Sequence, residues 1–234
     1  MATIVFASSK GGAGKTTAAM VLTSELARQG EKQDINIALI DADPNQHSSK
    51  WALKKDTSKN ISLYKDIEEN TLIDAIEEAE KQSGFIIIDL EGTASMAVGM
   101  AISRADLVII PCQGSQNDAE EAIKTIKNIK QQSRAIRRDI KYCILMTRTS
   151  PAIVSRGCKA IMSEFENAGL PLFDVQLIDR EAFRAIRSFG GSVNDLPRKE
   201  VSGIENAEKN AYAFAAEVIN IITGKIEKRI IKEA

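Results

Sequence analysis

Short apolar runs, many of them β-branched, alternate along the chain with stretches in which apolar residues recur every three or four positions. The first pattern reads as buried strand and the second as amphipathic helix. Strands are expected at residues 3–7, 35–40, 61–64, 85–89, 106–111 and 142–146, with a weaker one at 173–177. Helices are expected after residue 15, around 48–55, and over 72–81, 119–133, 153–168, 182–189 and 204–222. Strand following helix throughout predicts an α/β fold, a mostly parallel twisted sheet with helices on both faces. No internal repeat, low-complexity segment or linker interrupts the pattern, so one domain is expected over 1–234, with 224–234 as a tail.

Composition narrows the picture. A chain of 234 residues supports one large α/β domain with a sizeable core. With 44% hydrophobic and 27% charged residues it reads as ordinary globular protein. The net charge of -1 gives no global attraction to nucleic acid or anionic membrane, so any such binding needs a local patch. Cys112, Cys143 and Cys158 are far apart and form no C-x-x-C, which fits a reducing cytoplasm. The chain opens on a strand without a charged and apolar leader. No apolar run approaches the roughly 18 residues that span a bilayer.

The chemistry starts at Ser8-Ser9-Lys10-Gly11-Gly12-Ala13-Gly14-Lys15-Thr16-Thr17, between the first strand and the first helix. Glycines allow successive backbone N–H groups to converge on phosphate oxygens. The helix start adds unpaired N–H groups and positive dipole. Lys15 can reach β- and γ-phosphates, and the Thr16 hydroxyl can sit on Mg²⁺. A plain glycine-rich turn is the alternative, but two lysines among three glycines are hard to explain by turn chemistry alone. The pattern G-x-x-x-x-G-K-[ST] is broken at its first glycine, which here is Ser9.

Two acidic stretches end other strands. Asp89 closes an apolar run and suits either a magnesium site beside Thr16 or a helix N-cap. Asp41-Ala42-Asp43-Pro44-Asn45-Gln46 suits either a carboxylate site or a turn. Asp41 and Asp43 are expected to point differently and to act separately. Ligands of open parallel sheets sit at the carboxyl ends of strands, where 8–17, 41–46 and 89–95 all fall. Glu91 is an extra carboxylate without an assigned role. The lone histidine, His47, is expected to be a polar loop residue.

The Lys-Gly-Gly-x-Gly-Lys-Thr loop, with its early Lys10, resembles the deviant Walker A loop of the ParA/MinD family of dimeric ATPases. The segment 41–46 resembles that family's first switch, and Asp89 its Walker B aspartate. The stretch Asp179-Arg180-Glu181-Ala182-Phe183-Arg184-Ala185-Ile186-Arg187-Ser188-Phe189-Gly190-Gly191-Ser192-Val193 resembles a segment of ParA-type partition ATPases. Likeness extends from Thr3 to about Thr223 and is nearest to short ParA-type and VirC1-like proteins. The prolines usual after the Walker B aspartate are missing, as is the family's usual order after Pro44.

The resemblance implies a P-loop ATPase fold with ATP and Mg²⁺ as cofactors. It implies that Gly11, Gly12, Ala13, Gly14, Lys15, Thr16 and Thr17 hold the nucleotide and that Thr147 lies near adenine. Thr16, Asp41 and Asp89 would serve the metal. Lys15, Asp43 and Lys10 would be catalytic, with Asp43 positioning water and Lys10 crossing to a partner subunit's nucleotide. It further implies an ATP-dependent homodimer that binds DNA without sequence preference and works with a ParB-like or cargo-adaptor protein. Candidate DNA-binding residues are Arg184 and Arg187 on one helix face, and Arg134, Arg137 and Arg138 at a helix end. A MinD-like membrane-associated regulator is the alternative. The tail has no Phe or Trp and carries two glutamates, which argues for packing or fraying over membrane anchoring. A redox enzyme bridged through cysteines would need a pairing that these three lack.

Overall fold

The computed structural model describes residues 1–54, 57–92 and 95–226. Its centre is a seven-stranded sheet of β1 (Ala2–Phe6), β2 (Ile37–Ala42), β3 (Ile61–Tyr64), β4 (Phe85–Leu90), β5 (Leu107–Cys112), β6 (Tyr142–Thr149) and β7 (Leu177–Ile178). The strands lie in the order β3-β2-β4-β1-β5-β6-β7, and every pairing is parallel. The helices are α1 (Lys15–Gly30), α2 (His47–Ala52), α3 (Leu72–Glu80), α4 (Met96–Arg104), α5 (Gln116–Ile136), α6 (Arg156–Asn167), α7 (Glu181–Phe189) and α8 (Ile204–Ile222).

Both sheet faces are covered, which is why the strands read as continuous Ile, Val and Leu. Successive side chains alternate between two cores. Ile4, Phe6, Leu39, Ile87, Ile109 and Leu145 point to the face covered by α1, α2, α7 and α8. Val5, Ile40, Ile88, Ile110, Ile144 and Met146 point to the face covered by α3, α4, α5 and α6. Burying each such side chain contributes about 1.5–3 kcal/mol.

Two elements depart from the sequence reading. Helix α4 is not among the expected ones, because its sequence MAVGMAISR carries a mid-helix glycine and buries only Val98, Ala101 and Ile102. Its start is fixed by Ser95, whose hydroxyl accepts from the Val98 N–H at 3.4 Å. The strand expected at 173–177 is displaced to Leu177–Ile178. Its backbone is taken elsewhere: the buried Glu217 carboxylate on α8 accepts from the Asp174 and Val175 N–H groups, both at 2.9 Å. Only the isolated Ile144–Leu172 bridge remains there. Among the described residues, no helix is long and apolar enough to cross a membrane. Ile226 is the last described residue, so the amphipathic tail reading lies mostly outside them.

Candidate nucleotide site

Strand β1 lies between β4 and β5, so the chain leaving it emerges at mid-sheet. The following loop is held open by its own backbone. Gly12 and Gly14 take φ of 81° and 100°, a region that favours glycine. Gly14 starts α1 without a side-chain cap, leaving the first-turn N–H groups available to an anion.

Distant elements fix this loop. Ser9, which stands in place of the usual glycine, donates its hydroxyl to the Glu121 carbonyl at 3.1 Å. The Ser9 N–H also donates to Thr125 Oγ1 at 3.3 Å; a glycine could keep that backbone bond but not the hydroxyl's tie to α5. Gln113 Nε2 donates to the Gly12 carbonyl at 2.7 Å, and Thr147 Oγ1 donates to the Ala13 carbonyl at 2.8 Å. Lys10 Nζ is 2.8 Å from Asp118 Oδ1 at the start of α5. None of Gln113, Asp118, Glu121 or Thr125 stands out in the sequence, because each acts across about 100 residues.

Lys15, Thr16, Asp43, Glu91, Arg148 and Arg187 meet around a cavity of about 460 Å³ that Gly11, Gly12, Gly14 and Thr17 also line. Lys15 is buried, and its Nζ donates to the Lys10 carbonyl at 3.3 Å. Burial lowers its pKa, opposed by the charges of Asp89, Asp43 and Glu91. Thr16 Oγ1 donates to Asp89 Oδ1 at 3.4 Å.

Asp89 and Asp41 are register neighbours on β4 and β2. Burial, and then the Asp41 charge, push the Asp89 carboxyl up to about 7. Its Oδ2 is buried without a hydrogen-bond partner. Ser48 lies near enough to ease the charge, yet its hydroxyl completes no hydrogen bond of good geometry. An acid pair beside a threonine hydroxyl, with one oxygen orphaned, fits a hard cation. Among the described residues no cluster of three or more His, Cys, Asp and Glu suits a metal held by protein alone. The donor set suits magnesium, which takes few protein ligands and completes its shell with water and phosphate.

Asp41 and Asp43 do separate, although not through strand alternation, which puts residues two apart on one face. The strand ends at Ala42, and the turn beyond carries Asp43 away. Asp41 is buried and accepts from the Asp43 N–H at 3.2 Å and the Ser49 N–H at 2.7 Å. Asp43 faces the cavity and accepts from the Asn45 backbone and side-chain N–H groups. His47 is not a bystander: it opens α2 and lines the same cavity.

A second cavity of about 240 Å³ adjoins Gly14 and Thr17. Thr147, Leu177, Ile178 and Phe183 give it apolar walls, and Arg148, Arg180 and Arg184 its cationic ones. Its size suits a heterocyclic base. Thr147 is buried with its hydroxyl engaged on the loop.

The arginine clusters part company. Arg184 is ion-paired with Asp179 at the smaller cavity, and Arg187 lines the larger one. Arg134 in the last turn of α5, its C-cap Arg137 and Arg138 lie just before β6, toward the amino ends of the strands. Arg138 Nη2 donates to the Ser103 and Ala105 carbonyls at 2.8 and 3.0 Å. Arg134 and Arg137 are exposed.

A family model described as "VirC1 protein" matches residues 1–223. The chain belongs to the VirC1 family. It is 36% identical over 217 residues to Protein ParA of Rhizobium radiobacter, covering 92% of this chain and 96% of that protein. It is 29% identical over 195 residues to Protein virC1 of Rhizobium rhizogenes, covering 81% and 82% respectively. Its fold matches the Cyanothece McdA(D38A)–ATP complex with a TM-score of 0.75 at 17% identity, over 93% of this chain and 96% of that one. The VirC1-family chain is thus a relative of ParA with the fold of the ParA/MinD-type P-loop NTPases.

Proposed function

We propose that this VirC1-family chain is a nucleotide-switched ATPase that positions DNA or a protein cargo. One observation carries the reading: Lys15, Thr16, Asp43 and the buried Asp89 converge on the loop at the carboxyl end of β1. ATP is the nucleotide, as in the McdA complex, with its phosphates over Gly11–Thr17 and its base in the smaller cavity beside Thr147. Mg²⁺ would be held by Thr16 and, through water, by Asp41 and Asp89, and would neutralise phosphate charge. Lys15 stabilises the β- and γ-phosphates. Asp43 orients the attacking water, the positioning that phosphoryl transfer chiefly requires.

Lys10 belongs to the deviant Walker A pattern and would cross to a partner subunit on ATP binding, leaving Asp118. The closed homodimer binds DNA without sequence preference, and hydrolysis releases it. Exposed Arg134 and Arg137 are the preferred DNA-binding residues, because Arg184 and Arg187 flank the nucleotide cavities. A ParB-like or cargo-adaptor protein completes the cycle in the cytoplasm.

The test is sedimentation together with DNA titration at several salt concentrations, with ATP, ADP or no nucleotide. The expected result is a dimer and salt-sensitive DNA binding with ATP alone. Lys10→Ala should bind ATP and remain monomeric. A wild-type ATP form that stays monomeric would remove the dimer, and an ATP dimer indifferent to DNA at low salt would remove DNA as the matrix.

A further inference from the structure

A third cavity, of about 280 Å³, shares no lining residue with the two beside the phosphate loop. Ser24 and Arg28 of α1, Trp51 of α2, Ile61 of β3, and Ser192 and Asp195 beyond α7 line it. The hydroxyl protons of its serines are spent. Ser24 donates to the Val21 carbonyl at 3.1 Å, and Ser192 to Asp195 Oδ2 at 2.6 Å. Ser58, also in the lining, donates to Asn60 Oδ1 at 2.6 Å. Asn60 Nδ2 faces the Ala27 and Ile35 carbonyls, which fixes that oxygen as the acceptor. A hydroxyl has one proton and two lone pairs, so these serines meet a ligand as acceptors.

Other donors are spent as well. The Trp51 indole N–H donates to the Gly191 carbonyl at 2.9 Å. The Ser192 and Asn194 backbone N–H groups donate to Asp195 Oδ2 and Ser192 Oγ. The Asn194 side-chain amide can serve either way. Arg28 is the cation of the lining, and Glu25 holds it through Nε at 2.9 Å and Nη2 at 2.7 Å. With Arg28 neutralised, Glu31 and Asp195 leave the lining negative. The space suits an organic molecule better than a bare ion.

We propose that this cavity binds a small aliphatic diamine. Asp195 and Glu31 each take one ammonium end, and the hydroxyls of Ser24, Ser58 and Ser192 accept further N–H groups. The inference stands apart from the nucleotide reading and holds whether or not that reading does.

Trp51 is the single tryptophan of the chain, so its fluorescence reports on this cavity. The experiment titrates the protein with the diamine putrescine, the monoamine butylamine and the uncharged diol butanediol, followed by fluorescence and calorimetry. The expected result is saturable putrescine binding that weakens with salt, weaker butylamine binding and none of the diol. Glu31→Gln, at an exposed position, should weaken putrescine several-fold, and Asp195→Asn likewise. Glu31→Asp should retain most of the affinity. Circular dichroism separates these losses from misfolding. No saturable putrescine signal, equal binding of the diol, or affinity unchanged in both charge variants would each overturn the proposal. So would displacement of putrescine by Mg²⁺–ATP, which would put the amine at the acidic strand ends instead.

Discussion

The two ends of the sheet are built on opposite rules. At the amino ends, polar groups are paired. The Thr3 N–H donates to Asp106 at 2.8 Å, Asn60 Nδ2 reaches the Ala27 and Ile35 carbonyls, and Arg138 closes the Ser103 and Ala105 carbonyls. Of the six unpartnered buried polar atoms among the described residues, five lie toward the carboxyl ends, Ser48 Oγ, Ser49 Oγ, Asp89 Oδ2, Thr149 Oγ1 and Arg180 Nε, and the sixth, Thr23 Oγ1, lies within α1. Each such atom costs stability. Their concentration where β2, β4 and β6 end, and before α7, marks the end that takes ligand in place of lost hydration. Arginines at helical spacing look alike in sequence, yet Arg184 and Arg187 on α7 line the two cavities while Arg138 beyond α5 bonds backbone carbonyls.

The strongest challenge to this contrast is Lys15→Ala. Removing the buried cation should weaken ATP by roughly 100-fold or more, equivalent to about 3 kcal/mol. Calorimetric titration reads it, and an unchanged affinity would dissolve the distinction at the ligand end. Asp43→Ala should keep ATP binding while slowing single-turnover phosphate release by about 100-fold, the scale of a removed positioning group. Wild-type release would remove Asp43 from the chemistry.

At the other end the effects should be smaller and of another kind. Arg134→Glu with Arg137→Glu should leave ATP affinity intact and lower DNA binding at low salt. The slope of log affinity against log salt should fall by about one for each phosphate that a removed arginine had neutralised. An unchanged slope would place the footprint elsewhere. Arg138→Ala should leave both ligands untouched and lower the melting temperature. Removing two hydrogen bonds to carbonyls at about 1 kcal/mol each corresponds to a fall of roughly 4–8 °C. A weaker ATP affinity in that variant would show that the two ends are coupled.

Much of the fold and of the site is legible in the sequence, and the readable parts share a cause. The strand at Ile61–Tyr64, the helix at Ile204–Ile222 and the loop from Lys10 to Thr17 are local patterns, complete within a few residues. Helix α4 escapes because a glycine and small side chains blur its period. The departure at Ser9 is visible in the sequence but not explained there, since its partners Glu121 and Thr125 lie more than 100 residues away. His47 and Arg187 give no sign of facing one cavity with Lys15.

The sequence by itself determined the alternation of strands and helices, the phosphate loop and the acidic strand ends. Apolar period and glycine-lysine chemistry are properties of short segments, and burial on both sheet faces makes them emphatic. The tertiary structure alone decided that Asp118 holds Lys10, that Glu217 takes the backbone of Asp174 and Val175, and that α7 turns its arginines to the two cavities beside the phosphate loop. Those outcomes depend on which strand neighbours which in the order β3-β2-β4-β1-β5-β6-β7. Strand order brings residues 100 positions apart within hydrogen-bond reach, and no local period encodes it.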